Sequence, residues 1–240
     1  MNCRKQKSWA VLAALLAFVI GVALGSPVAA QNQELMDRVA EVMQETVQNK
    51  QGLAQFTWVE QVTISLKGEE RKQEHFQVRL GPDGKPQRTS LDPPPAPPEQ
   101  EGRLKRHIVE KKKEEYKEYA DQIRALIQQY VPPGRNLLEQ AYHKGNIMIG
   151  PPPNAQGQYR LVISNYLKQG DNMTLVIDQA QKKLTNLSIA TYLDDPSDAV
   201  KVDVAFSSIP GGPNHVSSQT INGVSRQLTI AIQNSKYQHL

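Results

Sequence analysis

The stretch F-T-W-V-E-Q-V-T-I-S-L-K-G, residues 56–68, decides how this chain folds. Apolar and polar residues alternate through most of it, which is the period of an extended strand with one buried face. That face carries five apolar side chains, Phe56, Trp58, Val62, Ile64 and Leu66, and one carboxylate, Glu60. A buried carboxylate requires a partner, and a Lys or Arg of a later helical segment is a candidate for it.

The period of two continues after a short turn at residues 67–69. Residues 71–80 predict a returning strand with Phe76 and Val78 on one face, and G-P-D-G at 81–84 predicts a tight turn. Residues 87–91 predict a third strand. Seven more strands are expected after Gly145, at 147–149, 159–168, 173–178, 184–193, 200–206, 215–222 and 228–237. Turn-like connectors at regular spacing favour consecutive antiparallel neighbours.

Helices are expected before and between these strands. Apolar residues at three- and four-residue spacing predict a helix over 32–50, and D-P-P-P-A-P-P at 92–98 predicts a stiff connector. A helical insertion follows over 99–143. Its second half carries an apolar stripe that includes Tyr116, Tyr119 and Ile123. Its first half mixes basic and acidic residues, which favours a solvated helix over a site for anionic lipid.

These elements predict the α+β class: a wide, curved antiparallel sheet, an incomplete barrel, covered on its concave face by helices.

The first thirty residues have the layout of a secretory signal peptide. Three basic residues precede an apolar run over 9–24, and V-A-A at 28–30 is a small-residue cleavage site. Cleavage is expected after Ala30; the alternative is an uncleaved membrane anchor. Residues 31–240 then form one domain without cysteine, because the single cysteine is Cys3. The protein is expected in the periplasm or otherwise outside the cytoplasm.

The charge balance excludes an obvious nucleic-acid binder. The chain has 28 basic and 24 acidic residues, but three basic and no acidic ones lie in residues 1–30. The remainder therefore carries a net charge of +1, too little for the basic surface that nucleic acid requires.

No motif in the sequence carries catalytic or metal chemistry. The five histidines are scattered, without the spacing of a zinc protease, and no G-x-S-x-G motif is present. A loop with Asp194, Asp195 and Asp198 is interpreted as a polar turn rather than a calcium site. We therefore expect no catalytic residues, metal or cofactor, although a spatially assembled hydrolase site stays open because triads converge only in space.

The order of elements resembles a known superfamily. Four pieces carry the resemblance: F-T-W-V-E-Q-V at 56–62, G-P-D-G-K-P at 81–86, I-P-G-G-P-N at 209–214 and I-Q-N-S-K-Y at 232–237. With the amphipathic helix before them, they are similar to the LolA/LolB-like outer-membrane lipoprotein-sorting carriers, and most closely to an uncharacterised exported bacterial group of that fold. The resemblance covers most of residues 32–240. It implies an incomplete barrel whose helices cover a hydrophobic space for acyl chains.

The leading hypothesis is therefore a non-enzymatic carrier or sensor that binds a lipid or the acyl chain of a lipoprotein. Possible further partners are envelope lipoproteins or membrane components. The predicted pocket residues are Phe56, Trp58, Glu60, Val62, Ile64, Phe76, Val78, Tyr116, Tyr119 and Ile123. The alternative is an envelope interaction or structural module whose core is filled.

Overall fold

The computed structural model describes residue 45 and residues 48–94, 103–151 and 157–240, apart from the side chains of 103–106 and 108. These residues belong to one compact unit. The predicted signal peptide, most of the predicted helix 32–50, residues 95–98 of the connector and the first four residues of the insertion lie outside the described residues. Residues 48–50 are helical, as predicted, and the helix continues to residue 53, three residues beyond its predicted end.

Ten strands and two longer helices make up the described chain. The first strands are β1 (Phe56–Leu66), β2 (Glu69–Leu80) and β3 (Pro86–Ser90), followed by helices α1 (Arg103–Ile127) and α2 (Arg135–His143). The remaining strands are β4 (Ile147–Gly150), β5 (Gln158–Ser164), β6 (Asn172–Asp178), β7 (Lys183–Tyr192), β8 (Ala199–Ser208), β9 (Asn214–Gly223) and β10 (Leu228–His239). Most strand bounds lie within two residues of the prediction.

All ten strands join one antiparallel sheet in the order β3-β2-β1-β10-β9-β8-β7-β6-β5-β4. Neighbours in sequence are neighbours in space except β3 and β4, and the first strand, β1, pairs with the last, β10. The strands β3 and β4 form opposite edges, so the sheet is open and is not a closed barrel. The predicted fold class, an antiparallel incomplete barrel with helices, is confirmed.

This strand order fixes the position of the helices. Because α1 and α2 connect β3 to β4, the chain must pass from one edge of the sheet to the other between these strands. It passes over the face on which the apolar residues of β5 to β8 are buried. The Tyr119 ring lies so close to Gly223, at the end of β9, that a Cβ at position 223 would be 2.5 Å from Cε1 of the ring. A larger residue at 223 would displace α1.

The core lies under the helices, on strands β5 to β8. Alternate residues of these strands are fully buried: Leu161, Ile163, Met173, Leu175, Ile177, Leu187, Ile189, Val200, Val202 and Val204. The helical segment contributes Ile123, Leu126 and Leu138. Each such side chain stabilises the fold by about 1.5–3 kcal/mol through burial. This part of the sheet is therefore filled by its own side chains.

One predicted strand is shorter than expected. The prediction extended β5 to Lys168, but β5 ends at Ser164, and Asn165 adopts a left-handed conformation with φ 52°. The buried carboxylate of Asp171 holds the loop that follows. It accepts hydrogen bonds from the backbone N–H groups of Tyr166, Leu167 and Lys168 and from the hydroxyl of Tyr130. With its donors turned toward Asp171, the loop cannot continue the ladder.

The same carboxylate connects the helical segment to the sheet. The Tyr130 hydroxyl lies 2.6 Å from Asp171 and 2.7 Å from the Thr191 hydroxyl on β7. Tyr130 is fully buried, and burial together with Asp171 raises the pKa of its phenol, which therefore remains a proton donor.

We predict that Asp171→Asn lowers the free energy of unfolding by about 3 kcal/mol. Both oxygens of the buried Asp171 side chain accept hydrogen bonds, and the amide would replace one of these acceptors with an NH₂ donor. Urea denaturation measures the loss. The control is Asp195→Asn, an exposed loop carboxylate that accepts hydrogen bonds only from Ser197, where a much smaller loss is expected. Equal losses in the two variants would contradict the structural role of Asp171.

Candidate functional site

A large space among the described residues is a groove between α1 and strands β1, β2 and β10, which we call the α1 groove. Its volume is about 1050 Å³. The β1–β10 register places Val62 opposite Ile232, Ile64 opposite Ile230 and Leu66 opposite Leu228. These six side chains and Phe76 of β2 form the apolar floor of the groove. Val109, Tyr116 and Ala120 of α1 form the apolar part of the opposite wall.

The floor differs from the core in its burial. Residues of β1 from Gln61 to Leu66 are half-buried, whereas alternate residues of β5, β6 and β7 are fully buried. The apolar pattern in sequence is the same in both regions. Apolar side chains that are left partly exposed in a concave space are typical of a ligand site.

A smaller space, which we call the polar pocket, adjoins this groove. It has a volume of about 360 Å³, and Trp58, Glu60, His215, Asn234 and Tyr237 are among the residues that line it. Arg88 and Ile232 line both spaces, so the two meet at these side chains.

Glu60 forms a bidentate ion pair with Arg88, a residue that lines both spaces. Its side chain is buried, and its carboxylate oxygens lie 2.5 Å from Nε and 3.2 Å from Nη2 of Arg88. Arg88 is on β3, two strands away from β1. The partner expected from the sequence, a Lys or Arg of the helical insertion, was therefore wrong. The spacing of β2 and β3 brings a long arginine within reach across the sheet face, whereas α1 lies over the other end of β1.

Three aromatic rings cluster in the polar pocket. The Trp58 ring stacks on Tyr237 with centroids 6.1 Å apart, and the ring of His215 meets Tyr237 edge-on at 4.1 Å. Burial raises the pKa of Tyr237, and the nearby negative charge of Glu60 adds to this, so its phenol remains protonated. Burial lowers the pKa of His215, and the backbone of Ser207 and Pro213 offsets only part of the effect. His215 is therefore neutral at pH 7.

Two buried polar atoms in this pocket have no hydrogen-bond partner among the described residues. They are Nε1 of Trp58 and Oδ1 of Asn234. Buried polar atoms in native proteins are nearly always hydrogen-bonded to protein, water or ligand. In the pocket, the N–H of Trp58 can therefore donate, and Oδ1 of Asn234 can accept, a hydrogen bond with a small polar group.

The predicted pocket residues fall into three groups. Val62, Ile64, Phe76 and Tyr116 line the α1 groove, and Trp58 and Glu60 line the polar pocket. Val78, Tyr119 and Ile123 are buried in packing contacts and line neither space. Phe56 also lies outside both, with its ring edge-on to His239 at 5.1 Å.

Strand β10 contributes to the groove although none of its residues was among the predicted pocket residues. Leu228, Ile230 and Ile232 are three of the seven side chains of the groove floor. The alternation in 228–232 matches that of β1, yet pairing between the first and last strands depends on contacts far apart in sequence. The signal in the sequence is that residues 228–232 have the same apolar alternation as β1 and can therefore pair with it.

Groups of side chains that could hold a metal ion do not occur among the residues that the structure describes. No group of three or more His, Cys, Asp or Glu side chains there could hold a metal ion. Ser225 donates to Asp198, which also accepts the hydroxyl of Tyr119, but no histidine takes part. Nor does any helix in the described ranges combine the length and apolar character needed to cross a membrane.

Comparison with known proteins identifies no family. No protein-family model matches the chain, and no curated protein matches it. Among solved structures, the chain is similar to a DUF1329 family protein from Desulfovibrio piger, with 12% sequence identity and a TM-score of 0.40. The match covers 84% of this chain and 93% of that protein.

We predict that Arg88→Ala lowers the free energy of unfolding by about 2 kcal/mol, because it leaves the Glu60 carboxylate buried without its partner. The loss is smaller than for a fully buried pair because the Arg88 side chain is 47% exposed. Adding Glu60→Leu to this variant should restore most of the loss, since removing both partners leaves no unpaired charge. Chemical denaturation measures all three proteins.

The control for this experiment is Arg79→Ala. Arg79 is exposed on β2, and among the described residues its side chain bonds only Gln87, at 3.3 Å. Its removal should change stability by less than about 0.5 kcal/mol. A failure of Glu60→Leu to restore stability would show that Arg88 acts through packing of its stem instead of charge.

Proposed function

We propose that the protein is a non-enzymatic binder of lipid, which holds an acyl chain in the α1 groove. The observation that carries this proposal is the half-buried apolar floor made by β1 and β10 beneath a helix. The α1 groove has a volume of about 1050 Å³, close to the upper limit of the usual range for ligand pockets. A filled-core interaction module, the alternative, would have this face packed as tightly as the face of β5 to β8.

The energetics are adequate for reversible binding. Burial of a twelve-carbon chain contributes roughly 9 kcal/mol at about 0.8 kcal/mol for each CH₂. Lost translational and rotational freedom costs several kcal/mol, and the open side of the groove leaves part of the chain in water. With an association cost of about 4 kcal/mol, the net is about 5 kcal/mol or less, which corresponds to dissociation constants of roughly 0.1 to 1 mM. Such weak binding suits a carrier or sensor that must release its ligand.

The resemblance to the LolA/LolB-like carriers supports the same proposal. An open antiparallel sheet with helices across one face is the arrangement that this resemblance implies. Within this proposal, transport of lipoproteins between membranes is the narrower function and lipid binding the broader one. The α1 groove bears on lipid binding, and lipoprotein partners follow only from the resemblance.

We further propose that the protein is exported and that the mature chain begins at Gln31. The basic start, apolar run and small-residue site of residues 1–30 support this. Intact-mass measurement of the protein from the exported fraction should give the mass of residues 31–240. A mass that includes residues 1–30 would contradict cleavage.

We predict that Ala120→Trp weakens binding of a dansyl-labelled undecanoic acid by at least about tenfold, because the indole fills the groove that the acyl chain would occupy. Fluorescence titration measures the dissociation constant.

The matched control is Ala125→Trp, on the exposed side of the same helix and outside the groove lining. It should bind the probe as the unmodified protein does. Absence of binding to the unmodified protein, or equal weakening in both variants, would overturn the proposed function.

A further inference from the structure

Helix α1 separates its charges by sign, although its sequence mixes them. Residues 110–124 contain five basic and five acidic side chains. Of these ten, the ones that line the groove are Lys112, Lys113, Lys117, Arg124 and Asp121. The ones that do not are Lys111, Glu110, Glu114, Glu115 and Glu118. The groove side is therefore basic by four to one, and the other sides are acidic by the same ratio.

Helical periodicity produces this separation. Positions 112, 113, 116, 117, 120, 121 and 124 follow the spacing of three and four residues that places side chains on one face. The apolar groove wall, Tyr116 and Ala120, lies within this basic face. A run that is balanced in sequence thus gives the groove a strongly positive edge.

The strands add to the same edge. Lys67, Arg71, Lys72 and Arg88 line the groove from the sheet side, against a single acidic residue, Glu74. The whole lining therefore has eight basic and two acidic residues. This imbalance is local, because the chain beyond residue 30 carries a net charge of only +1.

Some of these cations are engaged in ion pairs. Lys72 lies 2.7 Å from Glu74 and Arg124 lies 2.8 Å from Asp121, while Arg88 binds Glu60. Arg71 and Lys117 contact glutamates outside the groove lining. The other three groove lysines, Lys67, Lys112 and Lys113, form no ion pair with any residue that the structure describes.

We infer that the α1 groove selects amphiphiles with an anionic headgroup, a carboxylate or a phosphate, over uncharged and cationic ones. The inference rests on the proposed binding of an acyl chain and adds the chemistry of the headgroup. The apolar floor takes the chain, and the lysines of the edge attract the charge. Because the edge is open to water, attraction is moderate, roughly fivefold in affinity for each contacting lysine, and it decreases with salt.

The test compares four ligands with the same twelve-carbon chain: dodecanoate, dodecyl phosphate, dodecanol and dodecyltrimethylammonium. Isothermal titration calorimetry below the micelle-forming concentrations measures each dissociation constant at low and high salt. We expect both anions to bind about tenfold more tightly than dodecanol, with the cation weakest. High salt should reduce the difference. The relative affinity of the two anions shows whether a carboxylate or a phosphate is preferred.

Charge reversals on α1 provide the matched comparison. Lys112→Glu and Lys113→Glu change lysines of the groove lining, and Lys111→Glu makes the same change on the neighbouring residue outside it. All three give the same net charge, so general electrostatic effects are equal. The first two should weaken dodecanoate binding about fivefold or more and leave dodecanol unchanged, whereas Lys111→Glu should bind dodecanoate nearly as the unmodified protein does.

The outcomes separate this inference from the function on which it rests. Equal binding of all four ligands, or equal effects of Lys111→Glu and Lys113→Glu, would overturn the headgroup selection and leave acyl binding intact. If no ligand bound, both the headgroup selection and the proposed function would fail. Tighter binding of the cation would also overturn the selection.

Discussion

The pairing of β1 with β10 is the constraint on which the rest of the structure depends. It brings the first strand of the sheet against the last and so places β3 and β4 at opposite edges. The chain between β3 and β4 must then pass from one edge to the other, and it does so as α1 and α2. The same pairing builds the floor of the α1 groove, because three residues of each strand meet there in register.

The two halves of the sheet thus differ in how completely their apolar residues are buried. On β5 to β8, the alternating apolar residues are fully covered, and buried hydrogen bonds from Tyr130 to Asp171 and Thr191 fix the helical segment there. On β1, the apolar residues from Val62 to Leu66 are only half-buried. The packed half of the sheet stabilises the fold, so these residues of β1 remain partly exposed beside α1.

The sequence predicts the local elements well and the long-range relations poorly. Alternation and turn residues gave nearly all strands, and consecutive antiparallel pairing followed from short connectors. The end of β5 was missed because the Asp171 side chain accepts hydrogen bonds from the backbone N–H groups of residues 166–168. Hydrophobic periodicity carries no information about these bonds. Glu60 was recognised as a carboxylate in need of a partner, but Arg88 could be identified only once strand order was known. Likewise, the charge run of α1 predicts a solvated helix. Only the position of α1 over the sheet shows that one face of this helix is basic and lines a groove.

The attachment of α1 to the sheet is one-sided. Within the described residues, Tyr119 of α1 bonds Asp198 and Ser225 in the turns before β8 and β10, and the next such bond along the chain comes from Tyr130. The side chains of Lys111 to Glu115 are exposed. Hydrogen bonds therefore hold the second half of α1 in place, so the angle at which the helix leaves Tyr119 sets how far Lys112 and Lys113 stand from the strands.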